Sequence, residues 1–527
     1  MHPKDLATVV LDHYDKLLAN GKPVKDEEFT VMAAFVAKIT TKVDENGLES
    51  HTQPILKVIS MATGTKCVGE VLIDGKGYII PDSHAEVLAR KALVRYLLYS
   101  IIALVRDPKL QDKADFPLMK IEERDSLFPF KIKPTWQFYL FVSDNPCGDA
   151  CIYSTRTGEL AFTGAKLSHA HNLNEQAFLN ENGLVIEPSD QLLGECRTKS
   201  TRSDIAHPTS SMSCSDKICR WRHVGLQGSQ YLGLLGRVPL SGVVLGSDPN
   251  TTLEHQHSAA RRALIDRFDG LSTASDPLFL AVVDDPLFSR SKSVLKHRHQ
   301  LLDDQKEQPN SLTSDLSAAD SKMSDGSVPV VAVDATRVSK RPVDDHPPSD
   351  PQPSKKARTA KKAGPLPYGQ SINWHLAVPG ISDEDFLPQI ATKTRAVLGG
   401  TQEVTIAHTG LPQGKNIENL VTRNGKICVS RLSPFCQDLL LRLLHRELTG
   451  KRAVEDSQTD QPSQATCPEV SEEFLQWRRS LDECTQAKEL SKEFFSHRIF
   501  RHWIHTKADR QRKSHTAEKS ADPEERS

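Results

Sequence analysis

Three short stretches of the sequence carry side chains that could hold a metal or move a proton. The first is His84-Ala85-Glu86 inside PDSHAEVLARKALVRYL, where a helix is expected to begin. The second is Pro146-Cys147, just after the aromatic run TWQFYLFVS, with Cys151 one turn further on. The third is Cys214 in SMSCSDKICRW, with Cys219 five residues later. Each has a bland reading. Acidic residues favour helix N-termini because of the dipole, so His-x-Glu can be a solvated first turn. Cys151 and Cys219 read singly as small buried hydrophobes.

Together the three stretches suggest more. A catalytic zinc takes three protein ligands and leaves one position open to water. His84 and two cysteines supply three ligands and leave Glu86 over, close by and uncoordinated. That is the logic of the zinc nucleobase deaminases, in which a non-ligand Glu shuttles the proton. Their usual signature continues Pro-Cys-x-x-Cys, whereas here the spacing is Cys147-x-x-x-Cys151. Two ligand sets therefore stay open: Cys147 with its neighbour Cys151, or Cys147 with the distant Cys214. A Pro-Cys at a strand end before a helix would also place the thiolate at a helix N-terminus, which lowers its pKa.

These residues need elements to hold them. Residues 5–20 place Leu6, Val10, Tyr14, Leu17 and Leu18 on one helical face, with Gly21 at the C-cap. Residues 56–80 read as a hairpin around Gly-rich turns. In the helix after His84, Leu88, Ala92, Tyr96 and Tyr99 form a stripe that Leu93 and Leu97 widen. TWQFYLFVS (135–143), SGVVLG (241–246) and PLFLAVVDD (277–285) read as buried strands, giving a central sheet with helices packed on it. From 303 to 365 the chain is rich in Ser, Asp, Pro and Lys, cannot bury enough apolar surface, and is expected to be disordered. Order resumes at YGQSINWHLAV (368–378). A helix comes next in CQDLLLRLLHREL (436–448), then a loop at 453–467 and a helical stretch at 470–507.

The 527 residues, 38% of them hydrophobic, allow two to four domains. No signal peptide and no apolar run of about 18 residues is expected to direct or anchor the chain. The ten cysteines form no dense framework, which favours reduced thiols. A net charge of −1 says nothing about nucleic acid, so any basic surface is local.

DSHAEVLARKALVRYL, NPCGDACIY, RTK at Arg197–Lys199 and SMSCSDKICRWRHVGLQGSQYLG together resemble the RNA adenosine deaminase (editase) domain family. This family includes the double-stranded RNA editing enzymes and the tRNA-specific adenosine deaminases. TGTKC (63–67), VVLGS (243–247) and INW (372–374) fit the same pattern in the same order. The match covers about 25–270 closely and 365–507 loosely.

The resemblance implies an α/β, cytidine-deaminase-like three-layer core, with a mixed sheet flanked by helices and a C-terminal helical extension. It divides one deaminase domain into 1–300 and 366–507, around the 303–365 insertion and before a charged tail, 508–527. It implies zinc on His84, Cys147 and Cys214, with Glu86 as the proton shuttle. It also implies a buried inositol hexakisphosphate held by Arg90, Lys91, Lys217, Arg220 and Trp221, and more loosely by Lys488, Arg498, Trp503 and Lys507. Asp82 and Lys199 match a polar relay from that cofactor to the zinc, and Thr65 and Lys66 match positions near the substrate sugar and phosphate. Two residues depart from the family: Pro81 stands where Asn is usual, and Pro434 where a Lys is expected on the inositol phosphate.

The opening segment resembles the tRNA enzymes. Only about 25 residues precede the pattern, too few for a separate duplex-binding domain, and 200–211 lacks the Gly-Glu-Gly element of the editing enzymes. The implied substrate is tRNA, at adenosine 37 of alanine tRNA, rather than DNA or a membrane; the oligomeric state is open. The alternatives are a duplex-RNA editing deaminase that relies on a partner, and an inactive RNA-binding subunit, against which the intact Glu86 argues. Lys340-Arg341, thirteen residues and KKARTAKK (355–362) resemble a bipartite import signal, so nucleus, cytoplasm or both are expected.

Overall fold

The structure is a computed structural model of the full chain, and it describes residues 1–40, 53–69, 73, 77–122, 128–156, 160–161, 165–167, 193–199, 209–307, 365–382, 394–416, 420, 427–450 and 471–500. Met1–His297 and Pro365–Ser527 cluster as one compact unit, and Arg298–Gly364 as another.

The helices that matter below are α1 (Pro3–Lys16), α2 (Ala85–Arg106), α3 (Cys214–Val224), α4 (Leu253–Leu264), α5 (Lys292–Glu307), α6 (Pro434–Thr449), α7 (Glu472–Asp482) and α8 (Thr485–Ser496). The strands are β1 (Met32–Ile39), β2 (Ile55–Thr63), β3 (Thr65–Cys67), β4 (Asp82–His84), β5 (Trp136–Val142), β6 (Arg197–Lys199), β7 (Leu240–Gly246), β8 (Phe279–Val283), β9 (Gln370–Leu376), β10 (Thr394–Val397), β11 (Gly400–Ile406) and β12 (Leu411–Pro412).

Among the described residues, nine strands form one sheet in the order β8-β7-β5-β1-β2-β9-β11-β10, with β12 beside β11. β5, β7 and β8 run parallel, and the remaining pairs are antiparallel. The sheet is mixed, and it is covered on both faces. β1 shows why: side chains alternate along a strand, and MAAFVAKI is apolar at nearly every position. Ala33, Phe35, Ala37 and Ile39 enter the core with α2, while Met32, Ala34 and Val36 meet Leu6, Val10 and Tyr14 of α1. That makes three layers, as a buried α/β sheet requires. α2 is buried along almost its whole length. Each Leu, Ile or Val so removed from water contributes on the order of 1.5–3 kcal/mol. Among the described residues no helix is long and apolar enough to cross a membrane.

Several expectations change. α1 ends at Lys16 rather than near residue 20, and Gly21, at φ +86°, lies past it where a Cβ would strike Val404 and Ile372. The segment 56–80 is not a simple hairpin. Gly64 ends β2, which pairs with β1 and β9, and the chain then turns so that β3 pairs with β4. α5 continues to Glu307, so 303–307 is helical where disorder was expected. The stretch 470–507 divides into α7 and α8. The 308–364 part of the insertion, the loop at 453–467 and the charged tail lie outside the described residues, as does most of 200–211.

Candidate metal and proton-transfer site

Helix α2 starts where β4 stops. β4 is held against β3 with Thr65 opposite His84 and Cys67 opposite Asp82. The Ala85 N–H donates to Gly64 O at 3.1 Å, which fixes the first turn. A Cβ on Gly64 would lie 2.0 Å from Ser83 O, so only glycine permits this approach. His84 is the N-cap residue but makes no capping bond with its side chain. The ring points elsewhere: Nδ1 lies 3.7 Å from Cys147 Sγ and 3.5 Å from Cys214 Sγ.

The two cysteines arrive from different segments. Cys147 comes after β5, and Cys214 opens α3. Their loops are stitched together by Ser215, whose N–H donates to Cys147 O at 3.0 Å and whose Oγ donates to Cys147 O at 2.9 Å. Gly148, at φ +104°, makes that contact possible, since a Cβ there would lie 2.2 Å from Ser213 Oγ. α3 begins with a reciprocal cap: Asp216 N–H donates to Ser213 Oγ at 3.2 Å, and Ser213 Oγ donates to Asp216 Oδ2 at 2.6 Å. The Cys214 N–H donates to Cys147 Sγ at 3.3 Å. A helix N-terminus thus faces Cys147, as its chemistry suggested, but it belongs to α3. Cys147 itself leads only into a short 3₁₀ turn, Asp149–Cys151.

This geometry decides which cysteines meet. The ligand atoms of His84, Cys147 and Cys214 all lie within 4.8 Å of one another. Tetrahedral zinc with N at about 2.0–2.1 Å and S at about 2.3 Å needs an N-to-S separation of roughly 3.6 Å, and the two observed values bracket it. Cys151 instead donates its S–H to Asn145 O at 3.0 Å and Pro146 O at 3.2 Å. Cys219 donates to Ala263 O at 3.1 Å. A second group, Cys67, Asp82 and His84, is equally compact. Its carboxylate is already engaged by Lys199, Lys217 and Ser211, so the first group has the freer donors.

Glu86 is 2% exposed, and its Oε2 has no hydrogen-bond partner. Burial pushes its carboxyl above the usual range, with Cys147 adding and His84 opposing. A bond from the Cys214 thiol, aided by His84 and Lys199, holds Cys147 well below the thiol range despite burial. Behind the ligands, Lys199 Nζ reaches both oxygens of Asp82 at 2.9 and 2.7 Å, and Lys217 also donates to Asp82. Burial alone would raise Asp82, but the two ammonium groups hold it well below the carboxylate range. Asp82 Oδ1 in turn accepts from the His84 N–H at 3.0 Å.

The other expected residues are spread more widely. Thr65 Oγ1 is buried without a partner beside His84, and Lys66 is half-buried on the same strand. Arg90 donates to Leu226 O at 2.8 Å and lies over the Trp221 ring, and its neighbour Arg220 lies over Phe495. Lys91 donates to Leu432 O at 3.4 Å. Lys488 and Arg498 are exposed, while Trp503 and Lys507 lie outside the described residues. Pro434 occupies the first turn of α6 behind the Ser433 cap, where a missing N–H costs nothing. Sequence reading missed Ser213, Ser215, Asp216 and Arg267, which hold the cysteine segments. The Ser-x-x-Asp spacing of the cap was a signal that could have revealed two of them.

His84, Cys147 and Cys214 thus form a possible metal site, with a buried carboxylate beside it whose Oε2 has no partner. The chain belongs to the adenosine-deaminase (editase) domain family, whose model matches residues 60–350, more than half of it. It is similar to the double-stranded RNA-specific editase Adar of Drosophila melanogaster, 30% identical over 209 residues, 36% of this chain and 27% of that protein. It is also similar to tRNA-specific adenosine deaminase 1 of Drosophila melanogaster, 29% identical over 280 residues, 50% of this chain and 59% of that protein. The Homo sapiens tRNA-specific adenosine deaminase 1 is 25% identical over 400 residues, 55% of this chain and 75% of that protein. The chain therefore spans about a quarter and three fifths of the two Drosophila relatives.

Proposed function

We propose that the chain catalyses zinc-dependent hydrolytic deamination of adenosine to inosine in tRNA, at adenosine 37 of alanine tRNA. The observation that carries this reading is the meeting of His84 Nδ1, Cys147 Sγ and Cys214 Sγ beside the unpartnered Glu86 Oε2. The tRNA substrate is supported by coverage: relatives named for tRNA match 50% and 55% of the chain, and Adar 36%.

The three ligands would hold zinc, which when bound supplies Lewis acidity toward a water. Glu86 takes one proton from the attacking water and delivers it to the adenine ring nitrogen, then takes the second from the resulting hydroxyl and delivers it to the exocyclic amine, which leaves as ammonia. Its burial, which raises the carboxyl's pKa, suits a group that must both accept and donate a proton. Asp82 orients His84 through its backbone N–H and is itself fixed by Lys199. Thr65 and Lys66 lie on β3, which pairs with the strand that carries His84, and would meet the ribose and phosphate.

An inositol hexakisphosphate is supported by the like charges of Arg90 and Arg220 brought together beside Trp221. Burial and Arg220 push Arg90 down to about 10, a penalty that a polyanion would relieve. Acid extraction of purified protein, analysed for inositol phosphates, tests that part by itself. Nuclear entry through 340–362 is proposed on the basic motif alone, and a fluorescent fusion lacking 308–362 tests it.

The deciding experiment is incubation with total tRNA and then sequencing, with Glu86→Ala as control. A-to-G change at position 37 of alanine tRNA is expected. Change in duplex RNA but not in tRNA would favour the editing alternative suggested by the Adar match.

A further inference from the structure

β9 and β11 place four side chains on the face that meets α2. Asn373 is paired with Glu403 and His375 with Thr401, so all four project from the same side of the sheet. They line a small cavity together with Ala92, Trp374, Arg431 and Leu432. The centre of a water molecule can range over about 10 Å³ there, which is room for one.

Three buried acceptor atoms in its walls have no partner: Asn373 Oδ1, His375 Nε2 and Glu403 Oε1. Their other atoms are committed. Asn373 Nδ2 donates to Thr405 Oγ1 at 3.2 Å. His375 Nδ1 faces Leu376 O at 3.1 Å. That carbonyl can only accept, so Nδ1 carries the ring proton and Nε2 is a lone pair. Glu403 Oε2 accepts from Ser430 Oγ at 3.3 Å. Three such atoms in a dry wall would each carry the full penalty of desolvation.

Charge narrows what can fill the space. Arg95 acts electrostatically on both Glu403 and His375, and Arg431 acts on His375, so a metal cation would meet two guanidinium groups. An anion would meet three acceptors. The occupant must be neutral, the size of water and rich in hydrogen-bond donors.

We propose that this cavity binds one water molecule together with one proton. Glu403 is held as the neutral acid and donates to the water oxygen, and the water donates to Asn373 Oδ1 and His375 Nε2. The count closes: three hydrogens meet three acceptors, and no atom is left over. The charged and titratable groups around it come from every packed element: Arg95 and Tyr99 on α2, His375 on β9, Arg431 before α6 and Cys436 on α6. Burial pushes Glu403 up to about 7 and His375 down to about 3, so both favour the neutral form this arrangement needs. The knot also has a position. Arg95 donates to Arg431 O at 2.5 Å and Lys91 to Leu432 O at 3.4 Å, so the same short segment is tied to the helix that carries Glu86.

The test is a high-resolution crystal structure of the full chain at pH 6, together with infrared difference spectra of wild type against Glu403→Gln at the same pH. One ordered water within hydrogen-bond distance of all three atoms is expected, with a protonated-carboxyl band that the variant lacks. An empty cavity, a Glu403 carboxylate turned onto Arg95, or no such band at pH 6 would each overturn the proposal. None of these readouts depends on deamination.

Discussion

Arg267 Nη1 donates to Asp216 Oδ1 at 2.7 Å, and both side chains are buried. The other oxygen of Asp216 accepts from the Arg197 N–H at 2.9 Å and from Ser213 Oγ at 2.6 Å. One carboxylate thus joins β6, the start of α3 and the segment after α4, and so fixes where Cys214 begins its helix. Arg267→Ala leaves that carboxylate buried without its counter-ion. A loss of about 3–5 kcal/mol is expected, measured by urea unfolding, and the doubly substituted Arg267→Met, Asp216→Asn protein should recover part of it.

Metal content separates the two cysteine classes. His84→Ala, Cys147→Ser and Cys214→Ser should each bind less zinc, while Cys151→Ser and Cys219→Ser should keep it, because their thiols already donate to backbone carbonyls. Elemental analysis of the purified variants reads this directly. Zinc lost from Cys151→Ser but kept by Cys214→Ser would reverse the assignment.

Glu86→Gln should keep the metal and the fold, since its Oε2 has no partner to lose. Turnover on tRNA should fall by roughly 10²–10⁴, the usual share of general acid–base catalysis. Activity near that of the wild type would end its role as proton carrier.

Gly148→Ala probes the approach of the two cysteine loops. The backbone there, φ +104° and ψ −143°, is a region nearly confined to glycine, and the new Cβ would collide with Ser213. A destabilisation of at least about 1–3 kcal/mol is expected, with weaker zinc retention, measured by thermal melting and by release of zinc to a chromogenic chelator.

Acid stability should depend on His375. Burial lowers its pKa from the ordinary 6.5 to about 3. A depressed folded pKa means that the contribution is present in full above 6.5 and is lost as pH falls toward 3. Melting temperatures of wild type and His375→Gln between pH 7 and 4 should therefore converge as the pH drops. A constant gap would show that the ring does not titrate on unfolding.

The donors that the structure brings together were partly legible in the sequence, because His84 and Cys147 sit next to element boundaries with their own local signals. His84 precedes a helix and Cys147 comes after an aromatic strand, whereas the Ser213 cap ahead of Cys214 went unread. Local pattern could not show which cysteines meet, because Ser215 and Cys147 are separated by 68 positions. The segment 56–80 was misread as a hairpin for a similar reason: its Gly-rich turns look like hairpin tips until β4 is present to pair with β3. Glu403 was invisible because Gln402 and Glu403 are consecutive and both buried, which breaks the inside–outside alternation that marks a strand. The sheet's depth of burial, not its sequence period, decides that position.

The seam between β2 and β9 has a practical consequence. Ala62 pairs with Asn373, Met61 with Trp374 and Ser60 with His375, so strands from either side of residues 308–364 complete one sheet. Interrupting the chain within 308–364 would leave both halves of this ladder intact. Residues 1–307 and 365–527, produced as separate polypeptides, should therefore find each other and reconstitute the sheet by strand complementation. Each piece alone would present an unpaired, apolar strand edge and would be prone to aggregate. The molecule can thus be treated as a naturally divisible pair, and restored activity from the mixed fragments would make a reporter of their encounter.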